Sequence, residues 1–449
     1  MRTCQLLPIL LVPAWAHAQE PAGLPAQLTA SVETETPARV LRLETLVTSA
    51  RQRQPQLLAA KAATEAAAGR ADQAGTIWLP QVNGTVQYLR TTGNFAPRPG
   101  TLVPTNASVS LNPEFNAYSI SLSASQLVWD FGQTSERILA AKAGESAQTA
   151  NQRSAEVQII LNVRRAFFQT AVQKALVGVA KETLENQQRH LRQVEGFVRV
   201  GTRPEIDLAQ IRTNVANAQV QYINAQNNVE TAKALLLQAA GMPLEGTTDI
   251  AEEDMPPVEG EEQKLPVLLE KARQERPELL TLAKQKEQQE RLVAAIQNAL
   301  WPTISLTGNV SGVGVTLDGI TPNWNVGALL NWAIFQGGLN QAQIREAQAN
   351  VLTVESQRAG LQLQIQSDVE QARLGVQAAK AVLGAAQEAL ANAREQLRLA
   401  EGRYAHGLGN IIELNDTQLA VTNAAVQLVT SRFSLAIARA QLLAALGRF

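Results

Sequence analysis

The chain repeats itself. Residues 50–58 read Ala-Arg-Gln-Arg-Gln-Pro-Gln-Leu-Leu and residues 272–280 read Ala-Arg-Gln-Glu-Arg-Pro-Glu-Leu-Leu, an offset of 222 that still holds where Leu79-Pro80 meets Trp301-Pro302. Farther on, Leu127-Val128-Trp129-Asp130-Phe131-Gly132 matches Ala333-Ile334-Phe335-Gln336-Gly337-Gly338 at an offset of 206. That second offset persists through Val200-Gly201 with His406-Gly407 and on to Gly241 with Gly447. The first copy therefore carries 16 extra residues between positions 80 and 127. The chain divides into a first repeat (43–242), a joining segment rich in Pro, Gly, Asp and Glu (243–264), and a second repeat (265–449). One architecture is made twice.

Each copy reads helix, strand, strand, long helix, turn, helix. In the first, Val82, Gly84, Val86 and Tyr88 alternate with Gln81, Asn83, Thr85 and Gln87, and Tyr118, Ile120, Leu122 and Ala124 alternate with serines. Period-two patterning of this kind predicts strands over about 81–90 and 117–130. The second copy predicts strands at about 303–315 and 324–335, where Val326, Ala328, Leu330, Trp332 and Ile334 form one apolar face. Helices are expected over about 133–196, 205–240, 338–402 and 411–446. Two seams keep a 4,3 spacing: Ala372, Val376, Ala379, Leu383, Ala386, Leu390, Ala393, Leu397, Ala400, and then Leu414 through Ala445. Helices of about 60 residues with such seams belong to coiled coils rather than globular cores. Low aromatic content agrees, at 4% of residues.

One apolar and one small polar strand face is the pattern of a membrane barrel, lipid on one side and water on the other. Leaving aside Trp15, the tryptophans (Trp78, Trp129, Trp301, Trp324, Trp332) lie in or beside the strands, and Tyr88 and Tyr118 sit near strand ends. Aromatic girdles at both membrane interfaces have this distribution; two soluble hairpins with ordinary core aromatics are the plainer alternative. Four strands per chain cannot close alone, because unpaired edges are costly in lipid. Two chains would give eight strands and three twelve, and arithmetic does not choose between them. The first hairpin needs a long loop, about 90–116 with Pro97, Pro99, Pro104 and Pro113, and the second only about 317–322.

Arg2, the apolar run Leu6 to Trp15 and Ala16-His17-Ala18 read as a secretory signal over 1–18, with cleavage expected before Gln19 and an N-terminal extension over 19–42. Cys4 lies inside that signal, so no lipid anchor or disulfide is expected. Net charge is −1, with no basic tract for nucleic acid. The histidines are His17, His190 and His406, and neither zinc spacing nor a phosphate-binding loop is present, so no metal, no cofactor and no enzyme activity is expected.

Two copies of strand, strand, long helix, turn, helix behind a signal resemble the TolC family of outer-membrane efflux proteins. The most specific pieces are Val200-Gly201-Thr202-Arg203 before Pro204-Glu205-Ile206-Asp207, the counterpart His406-Gly407-Leu408-Gly409 before Asn410-Ile411-Ile412-Glu413, and Phe335-Gln336-Gly337-Gly338 between strand and helix. The resemblance implies a fold that is mainly α with a transmembrane β part: a homotrimer, a twelve-stranded barrel in outer-membrane lipid and a helical tunnel in the periplasm. It implies a belt formed by 243–264, and a passive exit duct opened by a periplasmic adaptor and energised by an inner-membrane pump. Glu413 and Asp416 then line the inner constriction, with Asp207 at the matching place in the first copy. The plainer reading of Glu413 and Asp416 is solvated first-turn residues favoured by the helix dipole. Tyr404 and Asp207 would latch the mouth; the family's partner arginine falls at Gly409 and is missing, which leaves Arg203 in the other turn as its candidate substitute. Val200, Gly201, Thr202, His406, Gly407 and Leu408 are the adaptor-contact candidates. The rival readings are a periplasmic adaptor and a structural coiled-coil protein of the envelope.

Overall fold

The computed structural model describes residues 39–92, 114–244 and 248–449. The segment read as a secretory signal, most of the expected extension and the proline-bearing loop of the first hairpin lie outside the described residues. The first copy runs β1 (Arg39–Leu41), α1 (Leu43–Arg53), α2 (Pro55–Gly75), β2 (Gln81–Thr92), β3 (Glu114–Trp129), α3 (Gln133–Arg199) and α4 (Glu205–Ala239). After β4 (Thr248–Ile250) the second runs α5 (Leu265–Glu275), α6 (Pro277–Asn298), β5 (Thr303–Gly314), β6 (Thr321–Asn331), α7 (Leu339–Ala405) and α8 (Ile411–Ala445). The copies agree in length: α3 and α7 have 67 residues each, α4 and α8 35 each. At 1.5 Å per residue, α3 and α7 are each about 100 Å long.

The leading helix of each copy is two helices broken at a proline. Pro55 and Pro277 sit at the first position of α2 and α6, where a missing N–H costs nothing, and the preceding Gln54 and Arg276 take extended backbone (ψ 118° and 113°). Those two residues then brace the ends of the second helices. Gln54 Nε2 donates to the Ala239 carbonyl at 3.1 Å, and Arg276 Nε donates to that of Ala445 at 2.8 Å. The chain leaves α4 and α8 through Gly241 (φ +66°) and Gly447 (φ +81°), where a Cβ would stand 2.9 Å from Gln54 N and 2.8 Å from Glu275 O. Both glycines answer two demands at once, a left-handed cap and a close backbone approach.

The four long strands form one antiparallel sheet in the order β2-β3-β5-β6, which spans both copies. Its register sorts the side chains by row. Val82, Ala124, Gly308 and Val326 share one row, Gly84, Leu122, Val310 and Trp324 the next, and Val86, Ile120, Gly312 and Pro322 a third. The alternate rows are polar: Asn83, Ser123, Asn309, Asn325 and then Thr85, Ser121, Ser311, Asn323. Among the described residues nothing covers the apolar face, with Val86 79%, Val326 75% and Trp324 73% exposed, and β2 and β6 are open edges. β6 stops at Asn331, short of the expected 335. Asn331 pairs with Thr303, the first residue of β5, and Pro302 before it has no N–H to extend the ladder. Trp332 and Ile334 therefore continue the apolar sequence pattern without belonging to the strand.

No single core holds the helices. One apolar cluster gathers α1, α3, α4 and α8 around Phe167 and Phe168; a second packs α5 and α6 on α7 and α8 around Leu268, Val369 and Leu442; a third lies at the turns. The heptad positions Ala372, Val376, Ala386, Leu390, Ala393 and Ala400 are buried on α7, and Leu414, Ser431, Leu435, Ala438, Leu442 and Ala445 on α8. Large and small residues alternate so that the paired helices approach closely.

Candidate functional site

The two hairpins of long helices end in matching turns. Gly201 and Gly407 both have φ +75°. At the first turn Thr202 N reaches Phe197 O (3.0 Å) and Gly201 N reaches Val198 O (3.0 Å); at the second Leu408 N reaches Arg403 O (2.8 Å) and Gly407 N reaches Tyr404 O (3.1 Å). These are Schellman endings, in which glycine supplies the left-handed residue. Asn410 starts α8 by accepting from Glu413 N at 2.8 Å. Val200, Gly201, Thr202, His406, Gly407 and Leu408 are all exposed at the two tips.

Behind the tips the turns are brought together around Tyr404, which is 2% exposed and packs with Val194, Ile211 and Leu414. Its hydroxyl donates to Asp207 Oδ2 at 3.4 Å, long for an O–H···O bond, which usually measures about 2.7–2.8 Å. Arg203 reaches across from the other turn. Its guanidinium lies 4.4 Å from the Tyr404 ring centroid and donates to the carbonyls of Tyr404 (3.1 Å) and Gly409 (3.3 Å). Phe197 closes the other side, edge-on to Tyr404 at 6.3 Å. Burial, and then the Asp207 charge, raise the Tyr404 pKa; Arg203 opposes them. The phenol is thus protonated at neutral pH and can donate.

The carboxylates named from sequence part company. Asp207 is 7% exposed, buried beneath Tyr404 and apart from any open surface. Glu413 is half-buried and lies 3.5 Å from Arg403 Nε. Asp416 is exposed, and among the described residues no cation lies within salt-bridge reach of it. Sequence reasoning missed Arg403 and Phe197. Their signal was positional: each is the residue that a Schellman turn folds back upon.

The other site is the sheet base. Phe131 holds φ +54° before Gly132 (φ +90°), where the second copy has Gly337 and Gly338. Its ring stacks on Trp301 (5.5 Å) and meets Trp129 edge-on (6.1 Å). Aromatic contacts of ~1 kcal/mol each offset a left-handed backbone that costs ~1–2 kcal/mol. Asp130 caps α3 by accepting from Thr134 N (2.7 Å) and Gly132 N (3.1 Å). Trp78 is half-buried just before β2, and Trp332 Nε1 donates to Leu300 O (3.1 Å). Trp129, Phe131 and Trp301 make one aromatic cluster. Tyr88 and Tyr118, 5.1 Å apart, lie at the far end, and Trp324 lies up the sheet on the apolar face. Among the described residues no group of three His, Cys, Asp or Glu could hold a metal, and no helix is long and apolar enough to cross a membrane.

A four-stranded amphipathic sheet set on two pairs of very long helices defines an outer-membrane channel subunit. The sequence matches the outer membrane efflux protein family over residues 46–242 and 268–448, and the chain belongs to that family. It is 22% identical over 346 residues to the outer membrane protein TolC of Escherichia coli, covering 74% of this chain and 70% of that one. It is 25% identical over 348 residues to the probable efflux pump outer membrane protein TtgC of Pseudomonas putida, covering 74% and 69%. The fold superposes on the CmeC outer membrane channel of Campylobacter jejuni with a TM-score of 0.76 at 20% identity, covering 99% and 95% of the two chains. These relatives are channel proteins rather than enzymes.

Proposed function

We propose that three copies of this chain close their sheets into one twelve-stranded barrel continued by a helical tunnel. The protein is an outer-membrane exit duct for efflux, with its long helices in the periplasm. The observation that carries the reading is the sheet itself: apolar rows uncovered on one face, polar rows on the other, and two open edges. Lipid outside and water inside satisfy both faces, and neighbouring copies satisfy the edges. The aromatic bands agree in spacing. Trp129 and Tyr118 stand eleven residues apart on β3, ~35 Å of strand, which a ~40° tilt reduces to ~27 Å beside an apolar band of ~25 Å. The adaptor reading has no such sheet to recommend it.

At the other end, Tyr404, Asp207 and Arg203 form the latch of a closed mouth, and Glu413 and Asp416 supply its carboxylate rings. Glu413 shares its charge with Arg403, so cation preference rests mainly on Asp416. The exposed tips, Val200 and Leu408 above all, meet a periplasmic adaptor, and an inner-membrane pump provides the energy. Because Gly201 and Gly407 are left-handed, Val200→Glu and Leu408→Glu test that contact without straining the turns; both should abolish co-purification with the adaptor. Trp324 tests the barrel. In a chain whose other tryptophans are phenylalanine, lipid brominated on the acyl chain should quench it, and an unquenched Trp324 contradicts a lipid-facing sheet.

A further inference from the structure

The segment between the repeats crosses from the first helix pair to the second, and both its ends are held by charge. At its start Lys174 of α3 reaches Asp249 Oδ1 (2.8 Å) and the Ile250 carbonyl (2.8 Å). At its end Glu261 gathers four donors: Arg439 Nε at 3.0 Å, the Arg439 terminal nitrogen at 3.2 Å, Lys380 Nζ at 2.7 Å and its own turn's Val258 N at 3.0 Å. Lys380 belongs to α7 and Arg439 to α8, so one carboxylate, 6% exposed, joins both helices of the second hairpin to the segment. Burial pushes the Glu261 pKa up, but Arg439, Lys380 and the backbone N–H outweigh it and hold it below the ordinary carboxylate range. Arg439 also donates to the Met255 carbonyl at 2.8 Å.

Met255 and Val258 plug the two neighbouring apolar clusters. Beside Met255 an open pocket of about 520 Å³, bordered by Leu383 of α7 and by Leu428 and Phe433 of α8, leaves part of the helix seam unpacked. From Arg439 to Leu414 at the mouth, α8 runs unbroken for 25 residues, ~38 Å at 1.5 Å per residue. A rotation of ~10° at the segment would carry the far end of that ~38 Å arm ~7 Å.

We infer that residues 249–261 form an ionic strap holding the α7–α8 pair against α3, with Glu261 as its fastening, so that the strap stabilises the closed mouth from a distance. The inference rests on the gate reading above, because it needs a mouth that opens when α7 and α8 move. The test is single-channel conductance of the full-length trimer in planar bilayers. Glu261→Gln should raise conductance at least twofold while the trimer survives unheated electrophoresis. Combined with Tyr404→Phe, the rise should exceed the product of the two single effects. The exposed pair Glu395–Arg398, which lies within α7 alone, is the control, and Glu395→Gln should change conductance little. If Glu261→Gln prevents assembly, Lys380→Met reads the same strap with the Arg439 pair intact. Unchanged conductance in assembled Glu261→Gln and Lys380→Met trimers overturns the strap, even if their thermal stability falls, since that marks a merely structural role. A rise with Glu261→Gln but none with Arg203→Ala or Tyr404→Phe keeps the strap and discards the latch.

Discussion

Tyr404 shows how little a single hydroxyl needs to contribute for its surroundings to matter. At 3.4 Å its bond to Asp207 is weak, so Tyr404→Phe should raise bilayer conductance only modestly, and no change at all would count against the latch. Arg203 makes more contacts: the ring face and the carbonyls of both Tyr404 and Gly409. Arg203→Ala should therefore open the mouth more than Tyr404→Phe does, and the reverse order would relocate the latch. The pH dependence has a definite sign. A phenol whose pKa is raised in the closed state contributes its full stability below the ordinary tyrosine pKa of ~10. The contribution is lost as pH rises through the elevated value. Conductance of the wild type should step up only on the alkaline side of that range, and Tyr404→Phe should lack the step. At this scale the sequence is least legible. Tyr404 and Asp207 are 197 residues apart, and no periodicity pairs them; family resemblance did. The contacts of Arg203 with Tyr404 and Gly409 cross between the two turns and are visible only once the turns are set side by side.

Elements were far easier to read, because each long one carries its own period. The alternation over 81–88 and 118–124 and the 4,3 seams on α7 and α8 are strong local signals, and local propensity and packing point the same way. What stayed hidden depends on neighbours. The end of β6 is set by Pro302 and the start of β5, and the Phe131 backbone by a tryptophan 170 residues away. The proline breaks after α1 and α5 were in view but were read as part of one helix. Two pairs of substitutions test this level. Val326→Arg puts a charge on the apolar face, and in refolding into bilayers it should cost ~2–4 kcal/mol, whereas Asn325→Arg on the polar face should cost much less. Gly447→Ala forces a Cβ to 2.8 Å from the Glu275 backbone at φ +81°; chemical denaturation should show a loss of ~1–3 kcal/mol. Gly327→Ala, with nothing within 4 Å, should show almost none.

The whole molecule follows from the duplication. Two matching copies lay two hairpins into one sheet and two helix pairs side by side, and neither end is self-sufficient. The sheet has two open edges and an uncovered apolar face; the helix pairs have three separate apolar clusters where a globular protein would have one. Completion by copies of itself is what the proposed barrel supplies. The number of copies was not legible, since four strands divide both eight and twelve. Three copies is the proposal made from the family resemblance, and it is the central claim. The direct measurement is the mass of the oligomer extracted, without heating, from separated membranes. A trimer in the outer-membrane fraction is the expected result. A dimer there, or a chain found soluble or in the inner membrane, would contradict the twelve-stranded duct.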